Sequence, residues 1–260
     1  MEQAIRVASR PSFRIVRLNR PDKMNALDGA SLEGLMAALS DADADASCRA
    51  LLLTGEGRAF CAGADLGSIE PGGADLGEAI ERTWNPLARA LHRLRMPTVC
   101  AVNGVAAGAG ANLALGCDIV LAGRSARFVE AFSKIGLIPD CGGTWLLPRV
   151  VGDARARAMA MLAEPIDAAR AEAWGMVWRV VDDDALLAEA ETLAAQLATL
   201  PTHALILTRR ALAASASHSF DAQLDVERDL QREAGRTSDF VEGVRAFLEK
   251  RAPVFTGAAP

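Results

Sequence analysis

Met96-Pro97-Thr98-Val99-Cys100-Ala101-Val102-Asn103-Gly104-Val105-Ala106-Ala107-Gly108-Ala109-Gly110-Ala111-Asn112-Leu113-Ala114-Leu115-Gly116-Cys117 is the stretch from which the fold can be read. It holds no charged residue. Thr98–Val102 is rich in β-formers and predicts a strand. Gly104–Gly110 is a turn of small residues, and about Ala109–Leu115 reads as a helix. A strand feeding a small-residue turn that opens a helix aims several backbone N–H groups at one place. Small side chains let a ligand approach that backbone. The stretch therefore predicts an anion or oxyanion site, although a tightly packed core turn without chemistry fits the same residues. Pro97, four glycines and two asparagines argue against a membrane helix. A G-x-G-x-x-G fingerprint starting at Gly108 fails, because Leu113 stands where the third glycine is needed.

On the N-terminal side, Ile5–Ala8 and Phe13–Leu18 read as strands, and Leu32, Leu35, Met36 and Leu39 mark an amphipathic helix. Leu51–Thr54 is a continuous apolar run, the mark of a strand buried on both faces. Gly55–Leu66 repeats the pattern of strand and small-residue turn. Gly67–Asp75 reads as an exposed loop. Leu76 through Leu94 has helical spacing, with a kink expected at Pro86. On the C-terminal side, Ile119–Ala122 is a strand and Ala126–Val129 a candidate edge. Gly136–Thr144 is a third small-residue turn. Asp167 is placed to cap a helix that Gly175 ends, and Met176–Val181 is the last strand. From Asp184 onward the pattern is helical.

The chain has 260 residues, 51% of them hydrophobic, and a net charge of −5. That suffices for a sizeable core. No basic block supports nucleic-acid binding. Five scattered cysteines without C-x-x-C spacing suggest neither a disulfide framework nor a metal site, and fit a reduced, cytoplasmic compartment. Met1–Arg10 lacks a long apolar run, so neither signal peptide nor membrane anchor is expected. The three histidines stand outside the glycine-rich turns, and no G-x-S-x-G is present. Asp182–Asp184 reads as a solvated turn.

Three turns can carry chemistry: Cys61–Leu66, Ala107–Asn112 and Pro139–Gly143. The first two can each present a backbone N–H, and two converging N–H groups make an oxyanion hole. The third carries Asp140 in otherwise uncharged surroundings. A buried carboxyl of that kind suits a general base, and a turn-forming aspartate would look the same.

Several segments resemble the enoyl-CoA hydratase/isomerase, or crotonase, family. They are Asn19-Arg20-Pro21 with Asn25-Ala26-Leu27, Ala59–Leu66, Ala101–Gly104 with Gly108–Gly110, Cys117-Asp118-Ile119, and Gly136–Thr144. The resemblance spans nearly the whole chain. It implies an α/β fold, a spiral of ββα turns over 1–198 followed by a helical trimerisation and CoA-covering region over 199–260. It implies acyl-CoA thioesters as substrates, a homotrimer or dimer of trimers, and no metal or other cofactor. Carried over by position, the oxyanion donors are the N–H groups of Ala64 and Ala109. Asn25, Ala62, Asp65, Leu66, Asn112 and Phe132 fall on substrate-binding positions. Phe247 and Lys250 would meet the CoA nucleotide bound to a neighbouring subunit.

The departures from the family pattern point to the reaction. Where hydratases of the family hold water between two glutamates, this chain aligns Asn112 and Phe132. Asparagine is no base, and phenylalanine holds no water. Asp140 remains, where isomerases of the family carry their proton-shuttling acid. Val105–Asp118 with Ala131–Arg149 further resembles the branch that isomerises ring-1,2-epoxyphenylacetyl-CoA to oxepin-CoA and 3-enoyl-CoA to 2-enoyl-CoA. The expectation is therefore an acyl-CoA isomerase working with an oxyanion hole and a single carboxylate. A hydratase with atypical water positioning, and a non-catalytic CoA-binding or scaffold protein, are the alternatives.

Overall fold

The computed structural model describes residues 3–68 and 75–260. Two sheets carry the fold. The larger has the order β1 (Ile5–Ser9), β2 (Phe13–Leu18), β3 (Ala50–Gly55), β5 (Thr98–Val102), β7 (Ile119–Gly123) and β10 (Arg179–Val181). Only β1 and β2 pair antiparallel there. The smaller has the order β4 (Ala59–Cys61), β6 (Val105–Ala107), β8 (Arg127–Val129) and β9 (Ile166–Asp167), with β9 antiparallel. The helices are α1 (Gly29–Ala44), α2 (Leu76–Arg82), α3 (Trp84–Arg93), α4 (Ala109–Leu115), α5 (Gly143–Val151), α6 (Asp153–Leu162), α7 (Ala168–Ala173), α8 (Leu186–Thr199), α9 (Thr202–Ser215), α10 (Phe220–Ala234) and α11 (Ser238–Glu249).

The chain repeats one move. A strand of the large sheet turns a corner into a strand of the small sheet, and helix follows: β3 to β4 to α2, β5 to β6 to α4, β7 to β8 to α5. This is the expected ββα spiral. The corner after β5 needs glycine, since a Cβ on Gly104 would lie 2.1 Å from the Arg58 carbonyl oxygen. Strand alternation then sends side chains to two cores. Leu51, Leu53, Cys100 and Val102 join α1, α3 and α4 in the main core. Ala50, Leu52, Val99 and Ala101 face Leu186, Ala190, Ala194 and Leu197 of α8. Burial on both faces is why these strands read as unbroken apolar runs.

Two arginines fasten the C-terminal helices to the spiral. Arg209 of α9 donates to Asp118 Oδ1, Leu94 O and Met96 O, each at 2.7 Å. Arg49 donates to Leu200 O at 2.6 Å and Phe255 O at 2.7 Å. Beyond those anchors α11 leaves apolar side chains in the open, with Phe247 83% and Leu248 73% exposed.

Three local expectations need correction. The helix over 76–94 breaks at Thr83 (φ −123°, ψ −70°), not at Pro86. Pro86 is the third residue of α3, where its missing N–H removes no helical bond. Strand β8 is not an edge, because β9 covers it. The last strand is only Arg179–Val181, although Trp178 N–H already reaches Val120 O at 2.9 Å. Of the loop expected over 67–75, residues 69–74 lie outside the described residues. Asp167 caps α7 by accepting from the Arg170 N–H, as expected. Among the described residues no helix is long and apolar enough to cross a membrane.

Candidate active site

The first turn is built on a single bridge. The Leu27 N–H donates to Gly63 O at 2.8 Å, and the Asp65 N–H donates to Leu27 O at 2.9 Å. In this parallel bridge Leu27 takes up the groups on either side of Ala64, so Ala64 turns its own N–H to the other side. The second turn opens α4, whose first N–H groups have no helical acceptor. Among the described residues neither the Ala64 nor the Ala109 N–H has a protein acceptor. Parallel pairing of β4 with β6 brings the turns together. A Cβ on Gly63 would lie 3.4 Å from the Ala109 nitrogen and 2.8 Å from Ala107 O. The two turns that carry the free donors thus approach closely at Gly63, next to Ala64 in the chain. Phe132 closes this side, its ring 3.6 Å from where a Gly108 Cβ would stand.

The third turn wraps around Asn112. Cys141 (φ 49°) and Gly142 (φ 83°) are both left-handed, a conformation that strains a non-glycine residue. They bring the Gly143 N–H onto Asp140 O at 2.8 Å. Asn112 Nδ2 donates to the same carbonyl at 3.0 Å. Position 143 must be glycine, because a Cβ there would fall 2.3 Å from that amide nitrogen. The main chain of Asp140 is therefore held twice while its carboxyl Oδ1 is buried with no partner. Burial raises the Asp140 carboxyl to about 6.

A second carboxyl stands beside it, and the sequence reading missed it. Glu130 is 1% exposed. Asn112 Nδ2 lies 3.5 Å from Glu130 Oε2, and Oε1 has no partner. Burial pushes Glu130 up to about 7; the Asn112 amide opposes this, and the charge of Asp140 adds to it. No cation is among the groups acting on either carboxyl. The local signal was a lone charge in Phe128-Val129-Glu130-Ala131-Phe132. It could have been read as a buried acid. Two buried carboxyls thus stand around one asparagine, a neighbour for Asp140 that the single-carboxylate expectation did not include.

Other expected site residues serve the scaffold. Asn25 is 1% exposed and uses its whole amide on main chain. Its Oδ1 accepts from the Arg20 N–H at 2.8 Å, and its Nδ2 donates to Ala59 O at 2.7 Å and Glu56 O at 2.9 Å. Its side chain is not available to a substrate. Asp65 pairs with Arg20 at 3.0 Å, and Arg20 also reaches Asp28 at 3.1 Å. That pairing braces the Ala64 loop, and Ala62 N–H secures it further on Met24 O at 3.0 Å. Leu66 stands at the loop's rim, 53% exposed. Phe247 lines a cavity of about 670 Å³ among the C-terminal helices, and no residue of the three turns shares that lining. Lys250 is exposed at the end of α11. The structure does not bring these two to the turns. A smaller cavity, about 340 Å³, reaches the third turn: Asn112, Cys141 and Gly142 line it together with His92, Trp145 and Leu146. Among the described residues no cluster of three or more His, Cys, Asp or Glu side chains could hold a metal.

Comparison with known proteins agrees with this architecture. The family model for enoyl-CoA hydratase/isomerase matches residues 10–258. The chain is 54% identical over 244 residues to the 1,2-epoxyphenylacetyl-CoA isomerase of Escherichia coli K12, covering 92% of this chain and 93% of that protein. It is 47% identical over 253 residues to a Rhodobacter capsulatus protein named for enoyl-CoA hydratase, covering 97% and 98%. A crystal structure from Mycobacterium abscessus, described as an enoyl-CoA hydratase/isomerase, matches with a TM-score of 0.93 at 35% identity, covering 98% and 100%. Sequence motifs, spiral fold and paired turns lead to one conclusion: the chain belongs to the enoyl-CoA hydratase/isomerase family.

Proposed function

We propose that the protein is an acyl-CoA isomerase. In this reading the thioester oxygen lies between the N–H groups of Ala64 and Ala109, and Asp140 moves one proton. Its carboxylate takes a proton from the carbon next to the thioester. The C–H electron pair enters the enolate, whose oxygen carries the new charge between the two donors. The carboxyl then returns the proton two carbons further along, and a 3-enoyl-CoA becomes a 2-enoyl-CoA with no net change in oxidation state. Ring-1,2-epoxyphenylacetyl-CoA, rearranged to oxepin-CoA, is the second substrate proposed, in line with the Escherichia coli relative. The observations that support the reading are the buried Asp140 oxygen without a partner, the Ala64 and Ala109 N–H groups without an acceptor, and the Asn112 amide that ties the Asp140 turn to the helix opened by Ala109. A base raised to about 6 is ionised near neutrality and still holds a proton well enough to return it.

The hydratase reading gains one point from Glu130, because activating water calls for a second carboxyl. Glu130 is however buried, with Oε2 toward the Asn112 amide, and Phe132 occupies the position where the resemblance expects a water-holding glutamate. The proposal includes a trimer in which Phe247 and Lys250 cover the CoA nucleotide of a neighbour, supported by the apolar exposure of α11. Product analysis tests the function. Purified protein given a 3-enoyl-CoA, a 2-enoyl-CoA and the ring epoxide should yield 2-enoyl-CoA from the first and oxepin-CoA from the third. A 3-hydroxyacyl-CoA as the main product from the second would make it a hydratase. Binding without turnover of any would make it a scaffold.

A further inference from the structure

The proton shuttle just described uses Asp140 and leaves Glu130 without a task. A carboxyl that is 1% exposed and has no cation costs stability unless something requires it. Its position is specific. Asn112 Nδ2 is shared between Glu130 Oε2 at 3.5 Å and Asp140 O at 3.0 Å, so one amide ties the two acids together. The free oxygens of all three side chains, Glu130 Oε1, Asn112 Oδ1 and Asp140 Oδ1, are buried without partners. Three acceptors without a donor are satisfied only when a proton resides among them or a donor binds.

We propose that Glu130 is a positioning residue for the proton transfer: its carboxyl braces the Asn112 amide that holds the Asp140 turn, and its charge state governs whether the site can accept an enolate. The proposal rests on the reading of Asp140 as the base. While Glu130 keeps its proton, the site carries one negative charge, on Asp140, and an enolate can form beside the neutral acid Asp140 has then become. Once Glu130 ionises, its charge remains after Asp140 has taken the proton, and one buried like charge opposes the developing enolate.

The other titratable groups nearby do not compete. Cys141, beside Asp140, and Cys61 on β4 are buried thiols, both pushed upward, Cys61 to about 12. Arg127 on β8 is exposed and donates to Ala126 O, while Asp167 on β9 caps α7. Lys134, on the turn after Glu130, is exposed. The two carboxyls therefore titrate as a pair, and the window from about pH 6 to about pH 7 holds one proton on it.

The test is the pH profile of kcat/KM for the wild type, Glu130→Gln and Glu130→Ala. The wild type should rise through about pH 6 and fall above about pH 7. Glu130→Gln, permanently neutral and of the same shape, should keep the rising limb and lose the falling one. Glu130→Ala removes the brace and should lower kcat about 10–100-fold at every pH with KM little changed. A falling limb unchanged in Glu130→Gln, or a wild-type profile that stays flat above neutrality, overturns the proposal. Infrared difference spectra of the wild type give a second reading that needs no variant to fold. A protonated-carboxyl band should persist at the activity optimum and disappear as the falling limb is crossed, and its absence at the optimum also overturns the proposal. Failure here with Asp140→Asn inactive leaves the base assignment standing; an active Asp140→Asn removes both.

Discussion

Asp140→Asn is expected to lower kcat for double-bond migration by about 10²–10⁴-fold with little change in acyl-CoA binding. The substitution keeps the side-chain shape and the doubly held main chain of Asp140, whose carbonyl accepts from Gly143 N–H and Asn112 Nδ2. Only the base is lost. The binding contacts proposed for the thioester are backbone N–H groups of other turns, so they survive. Steady-state kinetics with a 3-enoyl-CoA, alongside direct binding of a non-reacting acyl-CoA, checks both halves. Wild-type kcat in the variant would mean the proton is handled elsewhere. Weakened binding with kcat preserved would make Asp140 a binding residue.

Gly63→Ala attacks the other half of the site without touching a reacting group. Gly63 has φ +88°, strained for any L side chain, and the added Cβ would meet Ala107 O at 2.8 Å and the Ala109 nitrogen at 3.4 Å. Main chain has to move between the two turns that carry the proposed donors. Removing one oxyanion donor typically costs about 10²–10³-fold in kcat, and a shift that pulls the pair apart should approach that loss. The loss should fall mainly on kcat, because the charge on the oxygen develops in the transition state. A thermal melt separates the effect from general instability. A folded Gly63→Ala with wild-type kcat would contradict the convergence of Ala64 and Ala109 on one oxygen.

Much of this was legible in the sequence where the physics is local. Thr98–Val102 and Ala109–Leu115 are a strand and a helix with the boundaries expected, because a β-rich run and a small-residue helix start announce themselves within a few residues. Leu51–Thr54 read as doubly buried because its apolar run is continuous, and α8 does cover its second face. Val105–Ala107 read only as part of a turn. Three residues of strand carry no period, and their pairing partner Ala59–Cys61 lies more than forty residues earlier. Pro86 drew the expected kink to itself although its place in the first turn of α3 made it harmless. Asn25 and Asp65 were assigned to substrate because their segments match the family; only the fold reveals that Ala59, Glu56 and Arg20 already occupy them. Glu130 was missed for the same kind of reason. Its polar neighbour in the buried site, Asn112, is eighteen positions away, and no local pattern records that contact.

The central claim is that Asp140 carries the proton. Deuterium incorporation tests this most directly. A 3-enoyl-CoA incubated in D₂O, with recovered substrate and product examined by mass spectrometry, reports proton removal apart from completed turnover. The wild type should wash deuterium into the carbon next to the thioester, or carry the proton within the molecule to the new methylene. Asp140→Asn should do neither while still binding the acyl-CoA. Exchange or transfer at the wild-type rate in Asp140→Asn would contradict the account.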